Sequence, residues 1–380
     1  MGGRGFHAVE EVGVGLMGTG FAGRAHAHAI LEARRLGGIL PSPVAVYSRS
    51  LDRARDFARR FMFRRAYADW RQLIRDEEVE AVVNALPNYE HEAPNVEAAE
   101  EGKHVLSEKP LGRSLEEAVR QAEAAEEAGV IHGVGFNHRW LPAIQLMKRL
   151  VDEGFVGRVR FFRGIFLEDW AFDPGMPMAW RFSGELAGYG VVGDNGSHVI
   201  DLARHLVGEV VEVAASLRIF VESRPVRDGG WGRVTSDDLA VAILEFEGGA
   251  LGVLECSRLL PGRTNYMVIE VYGDKGAVAF NLERPDELWV ADYSEGEEVR
   301  GFKRIRVLER AHPGMRGFWA KHSVGWAASF SIQLSAFASA VASHKPYRPD
   351  FWDGAAVNAV LDAIKESARR GRWVEVEKAR

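Results

Sequence analysis

The feature that most constrains this chain is the stretch Glu11-Val-Gly-Val-Gly-Leu-Met-Gly-Thr-Gly-Phe-Ala-Gly-Arg, which runs on into Ala25-His-Ala-His-Ala-Ile-Leu-Glu. Val12, Val14, Leu16 and Met17 read as a short buried strand, Gly18-Thr19-Gly20 as a tight turn, and Phe21 onward as a helix. Gly18, Gly20 and Gly23 fit G-x-G-x-x-G in that context. The first glycine makes the turn, the second lets backbone approach a pyrophosphate, and the third lets helix pack on strand. Free N–H groups at the helix start, around Thr19, Phe21 and Ala22, then face a diphosphate. With 41 glycines in 380 residues the bare pattern arises by chance. Its place between strand and helix, with alternating strands and helices after it, carries the inference.

A chain of 380 residues is too long for one ordinary core, so two domains are expected. A net charge of -6 with interspersed signs argues against a nucleic-acid surface, and a small ligand is the expected partner. The single Cys256 excludes an intrachain disulfide and a cysteine-rich metal site, and its apolar neighbours mark a buried structural thiol. No segment has the apolar length of a membrane span, and Met1 to Glu10 lacks a signal-peptide core. A cytoplasmic protein with a loose extension over residues 1–10 is expected.

Pro43 to Arg49 reads as the second strand, followed by a helix from Leu51. A carboxylate at the end of this strand would hold a ribose 2′-hydroxyl, whereas here the position falls on Ser48. With Arg49 and Arg53 following, the region offers a hydroxyl and guanidinium groups to a 2′-phosphate, which favours NADP over NAD. Asp69 caps a helix, and the strand from Val79 to Leu86 ends at Pro87-Asn88, with His91 one turn on. Residues beyond the carboxyl ends of such strands face ligand in an open parallel sheet. His104-Val-Leu ends the same way, at Ser107-Glu108-Lys109-Pro110.

The Gly18-Thr-Gly20 loop, Leu86-Pro87-Asn88 with His91, and Gly102-Lys-His-Val-Leu-Ser-Glu108-Lys109-Pro110 together resemble the glucose-fructose oxidoreductase and inositol dehydrogenase (Gfo/Idh/MocA) family. The resemblance implies that Lys109 reaches both cofactor and substrate. It also implies a Rossmann domain over 11–138 and a crossing near Asn137-His138-Arg139-Trp140, which makes Asn137 and Arg139 candidates for the cleft.

From Arg158 the pattern changes to strands, many of them alternating, with a hairpin signal at Glu247-Gly248-Gly249-Ala250. An α+β domain over 139–380 with a large, mainly antiparallel sheet is expected. The resemblance implies that its open face pairs subunits into a homodimer or homotetramer; polar, solvated cover is the other reading. The loop Asp169 to Phe182 carries Trp170, Trp180 and Arg181, a composition suited to a sugar, although such aromatics also anchor loops.

Asp194, His198, Asp201 and His205 fall within about 60° on one helical stripe. A solvated face, a metal site and a catalytic face all fit that spacing. The resemblance selects the third: Asp194 and His198 match its Asp-x-x-x-His motif and join Lys109 as the catalytic set, with Asp201 and His205 as structural partners and no metal. Tyr189 departs from the Gly-Gly-Ala-Leu common before this motif and is a candidate to narrow the pocket or to contribute a hydroxyl to it. Asn84 interrupts an apolar strand without an evident reason.

The implied activity is NAD(P)-dependent hydride transfer at a ring hydroxyl of a sugar, anhydrosugar or cyclitol, with His198 as base and Lys109 stabilising the alkoxide. A glycosidase that uses bound NAD transiently and a non-catalytic dinucleotide-binding regulator are the other two classes.

Overall fold

The computed structural model describes residues 11–36 and 39–380, so the expected extension over residues 1–10 lies outside it. The first six strands are β1 (Glu11–Met17), β2 (Leu40–Tyr47), β3 (Arg65–Tyr67), β4 (Ala81–Asn84), β5 (His104–Ser107) and β6 (His132–Val134). They form one sheet in the order β3-β2-β1-β4-β5-β6, and all its pairs are parallel. Strand order reverses between β1 and β4, and ligands of such sheets bind in the crevice beyond that point. Six of the seven residues of β1 are buried, as expected where helices cover both faces. The connecting helices are α1 (Phe21–Ala33), α2 (Leu51–Phe61), α3 (Trp70–Ile74), α4 (Glu92–Glu100) and α5 (Leu115–Glu127). Ser50, Asp69 and Ser114 cap three of them through side-chain oxygens that accept from Arg53, Arg71 and Glu117 backbone N–H groups.

Asn84 now has a physical role. Its side chain donates to the carbonyls of Glu90 and His91 and to Asn95, and its Oδ1 accepts from the Leu86 N–H at 3.1 Å. A polar residue ends the strand because it ties down the loop over the crevice.

A turn at Asn137–Trp140 leads through α6 (Pro142–Asp152) into β7 (Val159–Leu167). After it come α7 (Gly184–Ala187), α8 (Ser197–Leu206), β8 (Val210–Arg218) and the small hairpin of β9 (Ser223–Pro225) and β10 (Trp231–Arg233). The remaining strands are β11 (Leu239–Phe246), β12 (Leu251–Ser257), β13 (Tyr266–Gly273), β14 (Gly276–Asn281), β15 (Glu287–Asp292) and β16 (Lys303–Arg306). They are followed by α9 (Ala328–Ser343), α10 (Phe351–Arg370) and β17 (Val374–Glu375). Nine strands make the second sheet, in the order β16-β15-β14-β13-β7-β12-β11-β8-β17. Only β7 and β12 pair in parallel, so the sheet is mainly antiparallel as expected.

Helices α6, α8 and α10 cover one face of this sheet. On the other, Val241, Ile243 and Leu251 are exposed beside Arg163, Glu255 and Glu270. Helix α9 lies against α1, and α10 against α5 and β8, so the end of the chain binds both sheets together. The sequence places Ile332, Phe337 and Val341 on the apolar side of α9; the structure buries Phe330, Leu334, Phe337 and Val341 there, while Ile332 is only half-buried. Among the described residues no helix is long and apolar enough to cross a membrane.

Candidate active site

A cleft of about 680 Å³ extends from the Gly18–Ala22 turn across to His198, and its size is that of a ligand site. At one end Gly18 adopts φ +104°, and a Cβ there would approach the Ala85 carbonyl oxygen to 2.5 Å. At Gly23 a Cβ would meet the Gly18 carbonyl oxygen at 2.1 Å, whereas at Gly20 it would meet open space. Helix α1 starts with no side-chain cap and no acid in its first turn, so its leading N–H groups remain available to an anion. These features fit a dinucleotide diphosphate, and Thr19, Phe21 and Ala22 line the same end.

Ser48 is buried beside Thr19, whose hydroxyl lies 3.4 Å from its own, and Arg49 and Arg53 line the rim. Glu90 and Arg49 both stand close to Tyr89. Leu86, Pro87 and Asn88 line the middle of the cleft, and Asn88 also donates to the Ala187 carbonyl at 2.8 Å. Glu108 reaches the cleft, but its carboxylate is taken up by His26 of α1 at 2.7 Å and by the Lys109 N–H at 3.2 Å. Burial works against that charge, yet His26 and Lys109 outweigh it and hold the carboxyl below its ordinary range.

Three sequence candidates do not face the cleft. His91 is buried between the carbonyls of Leu86 and Pro110, so it fixes the loop and has no free edge for a cofactor. Arg139 turns inward to make two hydrogen bonds, of 2.8 and 2.6 Å, with Asp201 of α8. Tyr189 is buried with its hydroxyl donating to Asp362 at 2.9 Å, so it packs beneath the cleft instead of narrowing it. Both turn inward because α10 and α8 offer them carboxylates.

The other end gathers the reactive groups. Lys109 Nζ donates to the Asp194 carbonyl at 2.7 Å and to its Oδ1 at 3.0 Å, and Arg181 Nε stands 3.5 Å from Oδ2. Burial disfavours the Asp194 charge, but Lys109 and Arg181 prevail and hold it well below the usual carboxylate range. Asp194 sits in a π-helical turn, Val192–Gly196, instead of the regular helix expected there. Asp237 accepts from the Gly190 and Val192 N–H groups at 2.9 Å each and anchors the start of that turn.

His198, in the first turn of α8, faces the same cleft, and burial, then His138 and Lys109, push its imidazole well below the ordinary histidine range. His205 is pushed down to about 3, mainly by burial, and Asp201 is held by Arg139, as befits structural partners. Asn137 lines the cleft and donates to Ser329 at 2.8 Å. Trp170 and Trp180 form an aromatic wall, with Arg181 stacked over Trp180 at 4.3 Å. Among the described residues no group of three or more His, Cys, Asp or Glu side chains could hold a metal ion.

Sequence reasoning missed His138, Phe166, Glu168, Asn265 and Trp326, which also line the cleft. The His138 ring lies 4.3 Å from that of His198, and burial with Lys109 lowers its pKa to about 3. Its position between Asn137 and Arg139 was the available signal, since a tight turn there turns Arg139 inward and brings its neighbour to the cleft. Trp326 and Asn265 stand in irregular segments that offer no periodicity to read.

Two family descriptions match the chain: "Oxidoreductase family, NAD-binding Rossmann fold" over residues 12–136, and "GFO/IDH/MocA C-terminal domain" over residues 144–279. Levoglucosan dehydrogenase of Pseudarthrobacter phenanthrenivorans is 37% identical over 97% of this chain and 99% of its own length. Myo-inositol 2-dehydrogenase of Thermotoga maritima is 29% identical over 86% of this chain and 88% of its own length. A solved structure of levoglucosan dehydrogenase in complex with NADH and levoglucosan superimposes with a TM-score of 0.93 at 38% identity, covering 97% of this chain and 100% of that one.

Proposed function

This chain belongs to the Gfo/Idh/MocA family of oxidoreductases, and from that premise we propose that it oxidises a ring hydroxyl of an anhydrosugar, sugar or cyclitol with a nicotinamide dinucleotide. It is a dehydrogenase that acts on CH–OH groups with a nicotinamide dinucleotide. The observation that carries the reading is the Lys109–Asp194 pair, which joins the cofactor loop and His198 in one cleft. The other two classes, a glycosidase and a silent regulator, are not favoured by the activities named for the relatives.

When bound, the nicotinamide supplies the hydride acceptor. His198, kept neutral by its surroundings, takes the hydroxyl proton as the carbinol C–H bond gives up its hydride. Lys109 donates to the oxygen on which negative charge develops, and Asp194, ionised throughout, orients Lys109 and the substrate. Trp170 and Trp180 offer apolar planes to the ring. The test is turnover on levoglucosan, the inositols and common aldoses. Absence of any hydroxyl oxidation across that panel sinks the proposal.

At the adenosine end, Ser48, Arg49 and Arg53 support acceptance of a 2′-phosphate and a preference for NADP. The relative's complexes hold NADH. Parallel NADH and NADPH titrations decide, and tighter NADH binding removes the preference. The apolar strip at Val241, Ile243 and Leu251 supports association through the open sheet face, which sedimentation reads directly.

A further inference from the structure

Resting on the dehydrogenase reading, we propose that Glu168 is the specificity-determining residue of the substrate end, accepting a hydrogen bond from one ring hydroxyl other than the one oxidised. Glu168 follows β7, where its backbone N–H donates to the Ser257 carbonyl at 2.8 Å and its carbonyl accepts from the Leu260 N–H at 3.0 Å. That bracing fixes where the side chain starts. Asn195, itself buried, donates to Oε2 at 2.9 Å and holds the carboxylate in the cleft beside Trp170. A carboxylate has about four acceptor sites, of which Asn195 and the neighbouring Trp170 indole engage two, so acceptor capacity remains.

The neighbourhood explains why this acceptor suits a hydroxyl. Asp194 is already claimed by Lys109 and Arg181, and Glu108 by His26, while Glu90 lies at the Arg49 end, so among the described residues Glu168 is the carboxylate at the substrate end of the cleft without a cationic partner. Burial, and then the Asp194 charge, hold its carboxyl above the usual range. Lys109 and Arg181 against Asp194 and Glu168 leave the substrate end with no net charge, which fits an uncharged polyhydroxylated ring and penalises an anionic acid. Asp194 and Lys109 are close enough for their charges to act on Glu168, which puts its carboxylate beside the reacting end of the cleft.

The test uses the full-length enzyme with Glu168→Gln, which keeps the shape and the Asn195 neighbour but removes the charge. It is assayed on levoglucosan, or the best-used polyol, and on its monodeoxy analogues, one for each hydroxyl. An unchanged NADH titration verifies the fold. The expected result is a KM raised about 10- to 100-fold with kcat nearly kept, the loss disappearing for a single deoxy analogue. An equal loss on all analogues, an unchanged KM, or a fall in kcat alone overturns the assignment. Failure of the dehydrogenase reading is separate: the unsubstituted enzyme would then turn over no member of the panel, and the inference would fall with it.

Discussion

The indole N–H of Trp326 donates to Nε2 of His138 across 3.1 Å, joining the loop before α9 to the turn that follows β6. Because Nε2 accepts, the neutral His138 carries its proton on Nδ1, and its ring stays against His198. Trp326 also stacks on Phe21, at 6.1 Å between centroids, beside the glycine turn. Trp326→Phe keeps that stack and deletes the N–H. We predict a fall in kcat of about 3- to 10-fold, the worth of one hydrogen bond, with NADH affinity retained. Steady-state kinetics beside a fluorescence titration read both, and an unchanged kcat removes Trp326 from the positioning of the base.

Lys109→Ala removes the donor to the developing alkoxide and the principal partner of Asp194. Turnover should drop by about 10²- to 10³-fold while NADH still binds, because the glycine turn and α1 are untouched. Near-normal turnover would exclude the lysine from the chemistry.

Stability should fall with acidity from the histidines. His138 and His205 are pushed down to about 3, and His198 well below its ordinary range. Each is neutral when folded, whereas in the unfolded chain each titrates near about 6.5. Above that pH neither state binds a proton and the histidines contribute no slope. Below it the unfolded chain binds more protons, so each histidine costs up to about 1.4 kcal/mol per pH unit until its folded pKa is reached. Urea melts at pH 7 and pH 5 should show a lower midpoint at pH 5; equal midpoints would contradict the assignment.

Arg139→Ala leaves Asp201 buried without its bidentate partner. We expect a loss of about 3–5 kcal/mol in unfolding free energy, with KM of the surviving folded enzyme unchanged. A raised KM with normal stability would return Arg139 to the cleft.

Local chemistry made the nucleotide half legible. Gly18 and Gly23 are required by backbone approaches that no Cβ survives, and Ser50 and Asp69 announce helix starts through their own hydrogen bonds. Lys109, Asp194 and His198 stood out as charged groups at the end of a strand and along one helical stripe; the spacing left three readings open, and the resemblance chose the catalytic one. Arg139 and Tyr189 misled for the same reason in reverse: their partners, Asp201 and Asp362, lie 62 and 173 residues away, beyond any local pattern. Glu168 and Trp326 gain their roles from Asn195 and His138, which only the tertiary fold brings near.

Helices α9 and α10 also decide when the molecule can become whole. Phe330, Leu334 and Phe337 complete the same core as Val12, Leu16 and Ile30 of β1 and α1. Asn358 and Asp362 satisfy the Gly112 carbonyl and the Leu115 N–H at the start of α5. During synthesis the glycine turn precedes these helices, and the hydrophobic surface behind it stays uncovered until α9 has been made. The nascent nucleotide half must therefore wait, partly formed, while the second sheet is made, and that interval is where a chaperone would find it.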